Sequence, residues 1–279
     1  MIKSFSKINL SLRVLSKKKN GLHNIETNSF LINIYDEILI SKIRNRDDQI
    51  VFKGKYKNFI KSKKNTIKET LKHLRENNLI DIEKKFKIVI NKKIPVFAGL
   101  GGGSSNAYFV ADHLIKKKLS RTVLRNLAEK VGSDLELFRF KQVYQKSLTK
   151  IVKYTKNFRL YLVLVFPNLK CPTREIYLRV NQFSTRSRSK YINIINKNKL
   201  LNLLKYERND LQEVAIKKFP IIRKIINFIQ VQENCHFARM TGSGSACFGV
   251  FNTAISAKNA LRLFKKKYPK YWCVVTRTI

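Results

Sequence analysis

Four of the chain's ten glycines fall within five residues, at Gly99, Gly101, Gly102 and Gly103. Three more, Gly242, Gly244 and Gly249, gather near the end. Gly132 precedes Ser133-Asp134, Gly21 precedes Leu22-His23, and Gly54 stands apart. A chain that avoids glycine elsewhere and spends it in clusters needs positive φ angles or close backbone approach there. The densest cluster belongs to Pro95-Val96-Phe97-Ala98-Gly99-Leu100-Gly101-Gly102-Gly103-Ser104-Ser105-Asn106-Ala107. Glycines let successive N–H groups converge on an anion, and a helix N-terminus adds partial positive charge. The string is not GxxxxGK[ST], and counting GxGxxG from Gly99 puts Ser104 at the third position. Ala238–Ala246, with Thr241-Gly242-Ser243-Gly244 at its centre, reads as an ordinary hairpin or as a second phosphate wall.

Alternation predicts strands over 2–15 and 29–41, joined by a turn at Lys19-Asn20-Gly21. Residues 65–77 have helical spacing with Asn65 as N-cap. A strand over 87–93 leads into the first glycine loop. Ser104 or Ser105 is expected to cap a helix running to about Lys118. Another helix over 121–131 ends at Gly132, with Asp134 just beyond. A buried strand is expected over 159–166, with helices over 174–180, 210–215 and 220–231. A strand–loop–strand–helix–strand pattern then spans 237–276. Helices and strands mix without strict alternation, which implies an α+β fold. The polar, lysine-rich stretch 142–157 predicts a boundary between domains at 1–152 and 153–279.

Fifty-eight Lys and Arg against eighteen Asp and Glu give a net charge of +40. Such a balance raises the question of nucleic acid. The lysines, however, run from Lys3 to Lys270 alongside abundant Ile and Asn, a spread that fits compositional drift better than a binding arm. Four cysteines form no CxxC pair, so neither a zinc motif nor a disulfide framework is read. The first fifteen residues are interrupted by Lys7 and Arg13, unlike a signal peptide, and 160–166 is too short to span a bilayer. The expectation is a soluble cytoplasmic protein without membrane partners.

Taken together, the motifs resemble the GHMP kinase superfamily. The resemblance rests on Ser6-Lys7-Ile8-Asn9-Leu10, then Gly21-Leu22-His23 and Tyr35-Asp36-Glu37-Ile38, then the 95–107 loop and the 238–246 loop. Gly132-Ser133-Asp134, Pro172-Thr173 with Tyr177, and Asn209-Asp210 match in order, so nearly the whole chain is covered. The resemblance implies two α+β domains, a ribosomal-protein-like first domain that binds ATP and a ferredoxin-like second, with the active site between them. It implies transfer of the γ-phosphoryl group of ATP, with Mg2+, to the 2-hydroxyl of a cytidine-diphosphate-linked polyol, in non-mevalonate isoprenoid synthesis. It further implies a monomer or weak homodimer with small-molecule substrates and no specific nucleic acid.

By the same resemblance Asp134 accepts or orients the hydroxyl proton and Lys7 stabilises developing negative charge, with Asn9 as its partner. A lysine and an aspartate at one site keep each other ionised. His23 would read a cytosine edge and Tyr177 would stack on the base. Asn65 and Lys92 match an adenine pocket. Pro95, Gly99, Leu100, Gly101, Gly102, Gly103, Ser104 and Ser105 form the phosphate loop, with the two serines reaching phosphate or magnesium. Thr173, Thr241, Gly242, Ser243 and Gly244 contact substrate. No carboxylate is assigned to the metal, whose ligands stay unknown. Leu22 stands where the family usually carries an aromatic, and Leu135–Phe140 leads into a glycine-free lysine-rich run instead of a Gly-rich one.

The residues alone leave open a related kinase for homoserine or mevalonate, and a basic RNA-binding protein. Salt separates the last from the others. RNA held through 6–10 phosphates would lose about 10³–10⁵ in affinity between 50 and 200 mM salt. We expect instead that ATP binding, followed by titration calorimetry across that range, declines only modestly, because few charges change partners.

Overall fold

A computed structural model describes residues 1–19, 21–60, 65–115, 119–188, 191 and 193–279. It comprises two compact units, neither contiguous in sequence. The first is Met1–Ser6, Ile34–Val96 and Gly101–Arg139; the second is Lys7–Asn33, Phe97–Leu100 and Phe140–Ile279. Helices and strands mix in both, as an α+β chain requires. A single break after residue 152 does not describe this division. The stretch expected to be a linker forms a hairpin of β5 (Gln142–Ser147) and β6 (Lys150–Lys153) inside the second unit. Gln142, Val143, Tyr144 and Gln145 are all buried, so β5 is covered on both faces, while Lys150 and Lys153 at the ends of β6 stay in solvent on either side of the buried Ile151.

Two long strands, β1 (Ile2–Lys17) and β2 (His23–Ile43), carry the N-terminal part of the chain. The turn between them closes by Lys18 N–H to Leu22 O at 2.7 Å, while Asn20 lies outside the described residues. In the first unit the later half of β2 pairs antiparallel with β4 (Lys85–Asn91), from Glu37 opposite Asn91 to Ile43 opposite Lys85. A further strand not read from sequence, β3 (Gln49–Lys53), runs parallel to β4. Ile38, Phe86, Ile88 and Ile90 share one face. They pack on Ile67 and Leu71 of α1 (Thr66–Glu76) and Val110 of α2 (Gly102–Leu114). Each such side chain taken from water contributes roughly 1.5–3 kcal/mol. The expected Ser104 or Ser105 cap is corrected: α2 starts earlier, capped by Gly101 in the left-handed region, and ends at Leu114. Lys118, the expected end, lies outside the described residues. α3 (Arg121–Val131) stops at Gly132, and a short 3-10 segment, Ser133–Arg139, follows.

The second unit contains an antiparallel sheet in the order β10 (Trp272–Arg277), β7 (Tyr161–Phe166), β9 (Cys247–Phe251), β8 (Cys235–Met240). β7 is apolar throughout because it is a central strand. Helices α4 (Thr173–Leu178), α5 (Lys197–Lys205), α6 (Asp210–Lys218), α7 (Ile221–Gln230) and α8 (Ala254–Lys267) complete it. α5 was not read from sequence, yet Leu200, Leu201 and Leu204 are buried at helical spacing within its polar run. Ile222, Ile225 and Ile229 of α7 pack with Val163, Val165, Ala257 and Phe264 in the core. Among the described residues no helix is long and apolar enough to cross a membrane.

Gly249 on β9 lies so close to α7 that an added Cβ would overlap the Ile229 methyl. Gly249→Ala should therefore lower unfolding free energy by about 1–3 kcal/mol in a denaturant titration, the usual range for overpacking a core.

Candidate active site

The predicted residues gather in two groups, one in each unit. In the second unit, residues 97–100 are held between a strand and a loop. Lys7 N–H donates to Leu100 O at 3.1 Å, and Ala246 N–H donates to Ala98 O at 3.2 Å. Gly99 has φ +75°, and a Cβ there would overlap the Thr241 carbonyl oxygen and come 3.1 Å from Gly244 N. Gly242, at φ +55°, reciprocates: its Cβ would come 2.9 Å from Gly99 O. These glycines permit two backbones to touch. Phe97, a residue 45% exposed, occupies the left-handed region at φ 59°, strain of about 1–3 kcal/mol for a bulky residue. Nothing in the sequence beyond the loop itself marked it.

Lys7 is 3% exposed, its ammonium donating to Asn9 Oδ1. Asn9 is fixed in turn: its N–H donates to Thr241 Oγ1 at 2.9 Å, and its Nδ2 donates to Thr27 Oγ1 at 2.8 Å. Thr27 Oγ1 in turn donates a hydrogen bond to Ser11 O at 2.5 Å. Thr173 and Ser243 meet, hydroxyl to hydroxyl, at 3.1 Å. His23 is buried, its ring centroid 5.0 Å from Tyr177 and 6.4 Å from Phe183. Phe183 was missed in the sequence because no turn or glycine marks its segment. Burial, and secondarily the charge of Lys17, hold the His23 pKa below its ordinary 6.5. A neutral imidazole offers one donor and one acceptor, which suits the edge of a base.

In the first unit Gly101, at φ 69°, opens α2 with no side-chain cap. The first-turn N–H groups of a helix have no intrahelical acceptor. Here they, the dipole and the bare Gly102-Gly103 backbone form an anion cradle. Residues present at this turn therefore fit a triphosphate. Gly132 packs against the cradle, a Cβ there lying 3.1 Å from Ser104 Oγ, and Asp134 follows two residues later. Leu135 to Phe138 are buried beneath it. The glycine-free run after Asp134 thus anchors the aspartate's segment by packing apolar side chains.

Two expectations change. Ser105 faces inward, donating to Phe5 O at 2.6 Å with Ser4 Oγ at 2.7 Å, so its hydroxyl serves packing. Lys92 is buried, ion-paired with Asp36 and bonded to Asn106 Oδ1 at 2.9 Å. Burial lowers its pKa and Asp36 opposes that effect. Asp36 also accepts from Lys93 N at 2.7 Å, Ile94 N at 2.9 Å and Asn106 Nδ2 at 3.0 Å. Asn65 caps α1, its oxygen accepting from Ile67 N and Lys68 N at 3.1 Å each. Among the described residues no group of three His, Cys, Asp or Glu side chains forms a metal cluster. A separate cavity of about 580 Å³ in the second unit, beside Phe183, Asn209 and Arg239, includes none of the predicted residues.

Residues 65–136 match the model of the GHMP kinases N terminal domain, and residues 192–270 match that of the GHMP kinases C terminal. A 4-diphosphocytidyl-2-C-methyl-D-erythritol kinase of Pelagibacter ubique (strain HTCC1062) is 34% identical over 284 residues, covering 100% of this chain and 98% of that protein. The crystal structure of a 4-(cytidine 5'-diphospho)-2C-methyl-D-erythritol kinase superposes with TM-score 0.74 at 22% identity, covering 100% of this chain and 99% of the other. Homoserine kinase from Cytophaga hutchinsonii superposes with TM-score 0.69 at 15% identity, covering 100% and 96%. The two solved structures share the fold.

An NMR titration of the His23 ring should give a midpoint below 6.5, moving upward in Lys17→Gln. Because the unfolded chain binds that proton more readily, the site's contribution to stability is complete above pH 6.5 and is lost as pH falls below it. A midpoint above 6.5 would contradict the burial argument.

Proposed function

The chain belongs to the family of 4-diphosphocytidyl-2-C-methyl-D-erythritol kinases, and from that premise we propose that it phosphorylates the 2-hydroxyl of 4-diphosphocytidyl-2-C-methyl-D-erythritol with ATP, in isoprenoid precursor synthesis. The observation that carries the substrate reading is His23, buried and neutral against Tyr177 and beside Phe183. Homoserine and mevalonate contain no base for such a pocket to hold. Stacking of a base on an aromatic ring contributes about 1–3 kcal/mol, enough to orient the cytidine end.

The ATP phosphates take the first turn of α2 and Gly101–Gly103, with Ser104 beside them. Magnesium, arriving with the triphosphate, would neutralise part of its charge, with Ser104 as a candidate oxygen ligand. Asp134 takes the proton of the 2-hydroxyl as that oxygen attacks the γ-phosphorus and ADP departs. Lys7, oriented by Asn9, stabilises the negative charge that builds during transfer. Thr173 and the Thr241–Gly244 loop hold the polyol and diphosphate. Asn65 and Lys92, whose polar atoms are committed to the α1 cap and to Asp36, support the adenine side by fixing backbone. The first domain is ribosomal-protein-like and the second ferredoxin-like, in a cytoplasmic monomer or weak homodimer.

ADP release by the purified protein with ATP, magnesium and the cytidine substrate tests this reading. Turnover is expected on that acceptor and not on homoserine or mevalonate. Asp134→Asn should lower kcat by about 10²–10⁴, the span of general acid–base catalysis. A folded protein that binds ATP yet phosphorylates only another alcohol, or none, would overturn the assignment.

A further inference from the structure

Asn209 immediately precedes α6 and is buried. Its side-chain oxygen accepts from Leu211 N at 3.0 Å, an ordinary helix cap. The other end of the same amide does something a cap does not need. Nδ2 donates to Met240 O and to Gly242 O, both at 2.8 Å. Both amide protons are thus spent on the two carbonyls that flank Thr241. A two-pronged donor at fixed spacing sets the curvature of the loop between those carbonyls. Thr241 Oγ1 accepts from Asn9 N, and Asn9 Oδ1 receives the Lys7 ammonium. A Cβ on Gly242 would lie 3.2 Å from that same Asn9 oxygen, so loop and asparagine touch directly.

We infer that Asn209 is a positioning residue: by bracing the Thr241–Gly244 loop through two donated hydrogen bonds, it fixes Asn9 and hence the direction of the Lys7 ammonium. The inference rests on the proposed kinase reading for Lys7. It touches no substrate. Its effect belongs in kcat, because a loosely aimed cation binds ATP nearly as well but stabilises the transferring group less; a misplacement near 1 Å can cost about 100-fold.

Asn209→Asp isolates the brace. Aspartate caps a helix as well as asparagine and has the same size, but it turns two donors into an oxygen facing two carbonyls. We expect kcat to fall about tenfold or more at pH 8, with KM for ATP changed less than about threefold. Protonation returns one donor, and burial among carbonyls raises a carboxyl pKa, so the variant-to-wild-type ratio of kcat should climb as pH is lowered from 8 to 6. Glu207, Arg208, Asp210, Glu213, Lys217 and Arg239, with Arg179, share the cavity next to Asn209 and are common to both proteins, so the ratio cancels them. Asn209→Ser keeps a cap without the brace and should lose kcat with a pH-independent ratio. A wild-type kcat in Asn209→Ser, or a ratio for Asn209→Asp that does not move with pH, would overturn the inference. Should both variants lose cooperative unfolding, Thr241→Val cuts the link to Asn9 within the substrate loop and must lower kcat with KM for ATP changed little; an unchanged kcat there would overturn it equally. Wild-type turnover on another acceptor alone would sink the substrate reading, and the same ratio would then be taken on that acceptor.

Discussion

Two backbone segments approach each other more closely than any side chain allows. Gly99 lies against the Thr241 carbonyl, and Gly242 returns the contact to Gly99. Hydrogen bonds from Lys7 N–H and Ala246 N–H hold residues 97–100 on both sides. Lys7 therefore leaves its strand at a point fixed by main-chain contact, and Asn9, Thr27 and Thr241 fix the side chain beyond it. Glycine here is needed for a touching surface, so the cost of its backbone freedom is offset by contacts that no alanine could make. The uncapped helix start begins only at the next glycine, Gly101, where the chain turns into α2.

In the first unit the corresponding role falls to a buried carboxylate. Asp36 gathers two backbone amides, an ammonium and an amide side chain. Asn106 carries the network on to Ser4 at 2.8 Å. A buried ion pair adds little net stability because desolvation offsets the attraction, whereas removing one partner costs about 3–5 kcal/mol. Such a network enforces one arrangement of the strand end and the start of α2. Hydroxyls that look poised for a ligand can be absorbed by it, as that of Ser105 is.

Local chemistry was the legible part. Clustered glycines located both loops, Asn65 announced its helix, and Gly132 ended α3 where expected. Composition misled where lysine carried no structural meaning: the β5–β6 hairpin reads as a domain boundary because its lysines and glutamines are polar, although Gln142 and Gln145 are buried within β5. Side-chain direction was also beyond reach. Whether Ser105 points to an anion or to Phe5 O is decided by residues about a hundred positions away. Phe183 has no local signature, and Asn209 shows only a helix cap and a motif match, since the carbonyls that its amide braces come from another element.

Interleaving of the two units has a consequence for how the chain is made. Every segment of the first unit lies before residue 140, although the sheet that contains β3, β4 and β2 continues into β5 and β6. Lys7–Asn33 belong to the second unit, and Asn9 waits for a threonine 232 positions later. On a ribosome β1 can pair with β2 at once, but Asn9 lacks Thr241 for most of translation. Setting the surroundings of Lys7 is therefore a late, long-range step, although the strand that carries it is among the first parts of the chain to emerge.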